Sequence, residues 1–108
     1  MTLSDIYDVL NSVLEGKVAY RAFRKEDVPK PPYIVFLSTG TDNYAADNSV
    51  HFERTNIRIE LYEVDRDLTT EASLEAKLTA AGLFWERDDT YIDNEKLYEL
   101  IYEVQIHE

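Results

Sequence analysis

Apolar and polar residues recur along the chain with two periods, one typical of helices and one typical of strands. Apolar side chains spaced by three or four residues predict an amphipathic helix over residues 3–15, beginning after Thr2 and ending before Gly16. Residues 69–81 repeat this spacing and predict a second helix that ends at Gly82. Neither helix can bury its apolar stripe alone, so both are expected to pack on a sheet.

Alternation of apolar and polar residues predicts the strands of that sheet. The alternation is most regular near the end of the chain and in the long strand that precedes the second helix. The predicted strands are residues 18–23, 33–37, 50–64, 83–87 and 98–107. The expected fold class is therefore α+β: a mostly antiparallel sheet of four to five strands with two helices packed on one face, in a single domain over residues 1–108.

A polar stretch of about a dozen residues separates two of the predicted strands. Residues 38–50 are rich in Asn, Asp, Ala and Gly and predict a long loop, too long for a tight hairpin. Long loops in compact domains are often functional. We expect a partner to order this loop, and its candidate contact residues are Asn43, Tyr44, Asp47 and Asn48.

Composition narrows the classes of function. The 108 residues include 22 acidic and 11 basic side chains, a formal net charge of −11, which argues against binding to nucleic acid or to an anionic membrane surface. Cysteine is absent, which excludes disulfides and thiolate ligands. We expect a protein made in the cytoplasm, because the sequence shows no signal-peptide pattern and no apolar run near the ~18 residues of a membrane span.

The charge is unevenly distributed along the chain. Residues 1–59 hold 8 acids and 7 bases, whereas residues 60–108 hold 14 acids and 4 bases. Arg21, Arg24 and Lys25 belong to the early basic cluster, so a copy of the chain could bind another copy head to tail. The alternative is a solvated acidic surface that keeps the protein soluble.

Signatures of catalysis or of metal binding are missing from the sequence. There is no nucleophile elbow, phosphate-binding glycine loop or zinc-binding histidine motif, so we predict no enzyme, no cofactor and no metal site. The acids of residues 88–95 predict a solvated turn between strands. Tyrosine is abundant, with eight residues, and is favoured at protein interfaces. Arg58 and Tyr62, on the polar face of the long strand, are further candidate contact residues.

Three segments of the chain resemble those of a known family. The segments Pro31–Phe36, Thr55–Tyr62 and Leu100–Val104 look like those of small tail-completion proteins from long-tailed bacteriophages and prophages of Gram-positive bacteria. That group includes the tail terminators and the proteins that join the tail to the head. The resemblance extends over about residues 3–106 in length, element order and motif position.

This resemblance implies a structural role in the virion tail, with assembly in the bacterial cytoplasm. Such proteins form rings, commonly hexameric, that cap the tail tube, stop its polymerisation and join the head connector. The implied partners are other copies of the chain, the tail tube protein and the head connector, with DNA passing through the ring without specific binding. Two alternatives are an acidic DNA-mimic inhibitor of a nucleic-acid-binding protein and a head–tail adaptor or minor capsid protein. A third alternative, a small enzyme or ligand-binding domain, has no residues to support it.

Overall fold

A computed structural model describes the main chain of residues 1–46 and 50–107, and the side chains of residues 1–42 and 54–107. Within these ranges the chain forms two α-helices, one short 3-10 helix and five strands. In chain order they are α1 (Leu3–Asn11), β1 (Val18–Tyr20), η1 (Lys25–Asp27), β2 (Tyr33–Ala46), β3 (Val50–Glu63), α2 (Leu68–Ala80), β4 (Glu86–Ile92) and β5 (Leu97–His107).

The described strands form one sheet in the order β1-β2-β3-β5-β4. Strands β1 and β2 are parallel, with Val18 opposite Ile34, and all other neighbouring strands are antiparallel. The predicted α+β fold with a mostly antiparallel sheet is therefore confirmed.

Both helices pack on the same face of this sheet. Strand β3 turns Ile57, Ile59 and Leu61 toward the helices, and all three are fully buried. Burial of a side chain of this size contributes about 1.5–3 kcal/mol. The other core residues are Ile6, Leu10, Val18, Ile34, Phe36, Leu74, Leu78, Leu100, Tyr102, Val104 and Ile106. The opposite face, called the outer face below, carries Val35, Arg58, Glu60, Tyr62, Glu99, Ile101 and Glu103.

Local sequence explains where the helices begin. Thr2 accepts a hydrogen bond from the Asp5 backbone at 3.2 Å, while the Asp5 carboxylate accepts one from the Thr2 backbone at 2.8 Å. This capping box satisfies two backbone donors at the start of α1. At the start of α2, the Asp67 carboxylate accepts from the Thr70 backbone at 3.1 Å.

The helix ends differ from each other. Helix α2 stops in a Schellman motif, in which the Gly82 N–H bonds the Thr79 carbonyl and the Leu83 N–H bonds the Leu78 carbonyl. Helix α1 ends at Asn11, four residues before its predicted end. The Asn11 side chain accepts a hydrogen bond from the Gly16 backbone at 2.9 Å, so a turn replaces the last predicted helical residues.

The predicted loop over residues 38–50 is wrong for residues 38–46, which continue β2. The register pairs Gly40 with Asn56 and continues to Ala46 opposite Val50, with an irregularity between Ser38 and Gly40. Cross-strand pairing with β3 therefore overrides a composition that disfavours strands. Residues 47–49 lie outside the described part of the chain.

The predicted acidic turn over residues 88–95 is also wrong in part. Strand β4 covers Glu86–Ile92, so the expected strand over 83–87 starts later and extends into the acidic stretch. Strand β4 lies at the edge of the sheet, where charged side chains stay in solvent. Strand β1 is shorter than predicted, because the chain turns sharply after Tyr20.

Candidate assembly surfaces

The outer face of the sheet carries a row of interacting polar side chains. Tyr62 stacks on Tyr33 with ring centroids 5.1 Å apart, and its hydroxyl lies 2.9 Å from Glu99 Oε2 and 3.1 Å from Glu60 Oε1. Arg58 Nε lies 3.4 Å from Glu60 Oε2. Glu60 therefore connects Tyr62 to Arg58, the two residues of this face that the sequence singled out.

Burial changes the acidity of these groups. Partial burial raises the pKa of the Glu60 carboxyl, although the Tyr62 hydroxyl and Arg58 oppose this shift. Burial and the two neighbouring carboxylates raise the pKa of Tyr62 far above its ordinary value, so its hydroxyl stays protonated and donates a hydrogen bond. The hydroxyl can serve only one of the two carboxylates at a time.

Two apolar side chains of the outer face are buried although both helices lie on the other side. Val35 is 6% exposed and Ile101 is 8% exposed, and the register places both beside Glu60. Their burial leaves the charged and aromatic groups as the accessible part of this face. An interface formed here would be polar, with most hydrogen-bonding groups already satisfied within the chain.

The predicted basic residues lie together on the connection between β1 and β2. Arg21, Arg24 and Lys25 are all exposed. Arg21 has a φ of 71°, and the Ala22 N–H bonds the Tyr20 carbonyl at 2.8 Å, so Arg21 is the central residue of a γ-turn. The Arg21 N–H also bonds the Phe36 carbonyl at 2.7 Å, which fixes the turn against β2.

The four residues predicted to contact a partner from the loop do not form one described site. Asn43 and Tyr44 belong to β2, where the register places them opposite Glu53 and Phe52. Asp47 and Asn48 lie outside the described residues. Because the register of β3 with β5 ends at Arg54, β2 and β3 continue beyond that point as an antiparallel pair without a third strand among the described residues.

A partly buried ionic cluster that the sequence did not indicate lies between α2 and the sheet. Arg66 binds the Glu71 carboxylate through two nitrogens at 2.8 and 2.9 Å, and Glu71 is only 3% exposed. Arg87 Nη1 lies 2.7 Å from Glu75 Oε2, which also accepts a hydrogen bond from the Tyr102 hydroxyl at 2.7 Å. The two bonds between Arg66 and Glu71 make this pair bidentate, which is the geometry of a strong charge-assisted contact.

Glu63 is the unusual member of this cluster. It is 1% exposed, and burial together with the Glu71 carboxylate raises the pKa of Glu63 to about 8. The pKa of Glu71 is lowered, first of all by its hydrogen bonds to Arg66. At neutral pH a proton therefore resides on Glu63, where it can be donated to Glu71. The two carboxyls are 1% and 3% exposed, so solvent hardly reaches either of them.

A groove of 740 Å³ lies between the connection from α2 to β4 and the ends of β3 and β5. Phe84 lines it and is 82% exposed, whereas the adjacent Trp85 packs against Tyr102 at 5.7 Å. The sequence does not indicate that Phe84 is exposed, because three consecutive apolar residues over 83–85 show no alternation that separates exposed from buried positions. An exposed phenylalanine in a groove is a candidate contact for another protein.

No helix in the described residues is both long and apolar enough to cross a membrane. No group of three or more His, Asp or Glu side chains in the described part of the chain could hold a metal ion.

No protein-family model matches the chain, and a search of curated proteins found no match. A search of solved structures found similarity to a chain in a structure described as the virion of a native gene transfer agent (GTA) particle. The TM-score is 0.52 at 15% sequence identity, covering 93% of this chain and 85% of that chain. At this identity the two chains are similar in fold.

Proposed function

We propose that the protein is a structural subunit of a phage-like virion, and specifically a tail-completion protein. It caps the end of the tail tube, stops tube polymerisation and joins the tail to the head connector, acting as a ring of identical copies. The observation that carries the proposal is the fold shared over 93% of the chain with a component of a virion particle. The sequence resemblance to tail-completion proteins supports the same role independently.

The chemistry of the described residues is consistent with a binding role. Tyr62, Glu63 and Glu71, whose pKa values are shifted, are each engaged by other side chains of the chain. The accessible features are of a different kind: an exposed sheet edge at β4, a polar outer face and Phe84 in its groove. These features suit contacts with other proteins.

Tube capping is the direct test of this proposal. Purified tail tube protein would be polymerised with and without the chain, and tube lengths would be measured by electron microscopy. We expect shorter tubes with the chain bound at one end. Unchanged tube lengths, together with no binding of the chain to tubes, would contradict the proposal.

Phe84 allows the same experiment to be done with matched variants. F84A is expected to fold normally, because the ring is 82% exposed, and to weaken tube capping if the groove contacts the tube. L68A removes another exposed apolar side chain, at the start of α2, and should cap like the wild type. If both variants cap tubes equally well, the groove does not contact the tube.

The DNA-mimic alternative is favoured only by the net charge of −11. A mimic needs carboxylates arranged like phosphates, whereas Arg58 lies among the acids of the outer face and Arg66 and Arg87 pair with acids beside α2. Tight binding to a nuclease or polymerase, without any effect on tubes, would favour this alternative. A head–tail adaptor would instead bind the head connector and leave tube length unchanged.

A further inference from the structure

The two edges of the sheet are unpaired in the described part of the chain. Strand β4 pairs only with β5, so its other side is open along Glu86–Ile92. At the opposite edge, β1 covers β2 only at residues 34–36. Beyond the hydrogen bond from the Ser38 N–H to the Tyr20 hydroxyl, β2 has no described strand on that side. Open strand edges can pair with another chain.

These edges carry opposite charge. Residues 17–30, which form β1 and the connection after it, hold five bases and two acids, whereas residues 86–95, which include β4, hold five acids and one base. Because the strand order places β1 and β4 at opposite ends, the charge asymmetry along the sequence becomes an asymmetry across the molecule. We call residues 17–30 the basic edge and residues 86–95 the acidic edge.

Most charges on the two edges have no ion-pair partner in the described part of the chain. Arg21, Arg24 and Lys25 are exposed and form no ion pair with the described residues. The same holds on the acidic edge for Glu86 and Asp88, whereas Asp89 pairs with Arg87. A partner that brought the opposite charge would therefore find both edges available.

We propose that copies of the chain bind head to tail, with the acidic edge of one copy against the basic edge of the next. The role of this contact rests on the proposed function, because it is the contact by which copies of the chain would form the ring. The contact joins two different surfaces, so it is heterologous and continues from copy to copy until it closes. Charge complementarity would set its orientation and speed its formation.

Strand direction is compatible with this contact. Strands β2, β3, β5 and β4 are successively antiparallel, so β4 runs opposite to β2 and to its parallel neighbour β1. A neighbouring copy in the same orientation would therefore present its basic edge antiparallel to β4. Antiparallel pairs are slightly more stable per residue than parallel ones, so the sheet can continue across the contact.

Charge reversal tests the contact. The variant R21E/R24E/K25E makes the basic edge acidic, and E86K/D88K/D93K makes the acidic edge basic. Each alone would place like charges together, so we expect its self-association to weaken by at least about tenfold. An equimolar mixture should recover association, because each reversed edge then meets its complement. Sedimentation of the wild type, each variant and the mixture at low ionic strength would measure this.

A matched control separates the edge from net charge. D8K/E15K/D65K makes the same change in charge as E86K/D88K/D93K, at exposed positions that belong to neither residues 17–30 nor residues 86–95. It should associate like the wild type, and circular dichroism would verify that every variant is folded. Failure of the mixture to recover association, or equal weakening by the control, would overturn the proposed contact.

Cross-linking provides a second readout. Carbodiimide joins a lysine amine directly to a carboxylate, and within one copy β1 and β4 are four strand spacings, about 19 Å, apart. A link from Lys17, which directly precedes β1, to Glu86 or Asp88 must therefore join two copies. A mixture of isotope-labelled and unlabelled protein would identify such links by mass spectrometry, and their absence from associated protein would contradict the contact.

The outcomes also separate this contact from the proposed function. If the wild type caps tubes and associates, but the reversed variants associate equally well, the edge contact is wrong and the tail role stands. If the reversed variants behave as expected but the wild type never affects tubes, the contact stands and the tail role fails. A wild type that remains monomeric at all concentrations, or whose basic edge binds duplex DNA in preference to a second copy, overturns the contact.

Discussion

At the scale of single residues, Glu63 makes the stability of the fold depend on pH. Its pKa rises from the ordinary value of 4.5 to about 8 in the folded chain, so the folded state binds more protons than the unfolded state between these values. This contribution to stability is complete below about pH 4.5 and is lost as pH rises through about 8. The cause is burial beside the Glu71 carboxylate, which penalises a second negative charge.

E63Q removes the titration but keeps a hydrogen-bond donor for Glu71. We expect the stability of E63Q relative to the wild type to increase by a few kcal/mol between pH 5 and pH 9. Urea unfolding across this range would measure the difference. E26Q, at an exposed position of η1, makes the same substitution in solvent and serves as the matched control. A constant difference between E63Q and the wild type across this range would show that Glu63 is not protonated in the folded chain.

At the scale of elements, patterning predicted the parts of the fold that local sequence determines. The capping box at Thr2 and the glycine stop at Gly82 are both visible in the sequence, and both form. The predictions of a loop over residues 38–46 and of a turn over residues 88–92 are wrong, because the strand state of both segments depends on pairing with other strands. Composition rich in Gly, Asn and Asp disfavours a strand, but pairing along β3 and β5 outweighs it.

The candidate site residues also divide into those that local sequence predicts and those that depend on how distant segments meet. Alternation placed Arg58 and Tyr62 on the outer face correctly, because the period of a strand fixes its faces. It could not indicate the ionic cluster, since Glu63, Glu71 and Arg87 come from three elements whose meeting depends on the topology. Nor could it show that the basic and acidic parts of the sequence would lie at opposite edges.

Gly82 tests the end of α2. Its φ of 79° lies in the left-handed region, and a Cβ there would meet no atom within 4 Å. The cost of a side chain is therefore one of backbone conformation alone, and we expect G82A to lower the free energy of unfolding by about 1 kcal/mol. Because asparagine enters this region more readily than alanine, G82N should cost less. Thermal or urea unfolding that ranks G82N below G82A would contradict this account.

At the scale of the whole molecule, one charge distribution should produce opposite responses to salt. Acids outnumber bases 14 to 4 over residues 60–108, so repulsion among them opposes folding, and screening should raise the melting temperature. The proposed contact between edges depends on attraction between exposed charges, which the same ions weaken. As salt increases, we therefore expect the fold to become more stable while association weakens. Melting and sedimentation measured on one series of salt concentrations would test both responses.

Two charge variants show whether the salt response of association comes from the acidic edge or from the net charge. E86K/D88K/D93K raises the formal net charge from −11 by six units, so less repulsion remains to be screened and the salt-dependent gain in melting temperature should shrink. D8K/E15K/D65K should reduce that gain similarly but keep the salt-sensitive association of the wild type, because both of its edges are unchanged. Association that strengthens with salt in the wild type would indicate an apolar contact between copies, and the charged edges would then have no part in assembly.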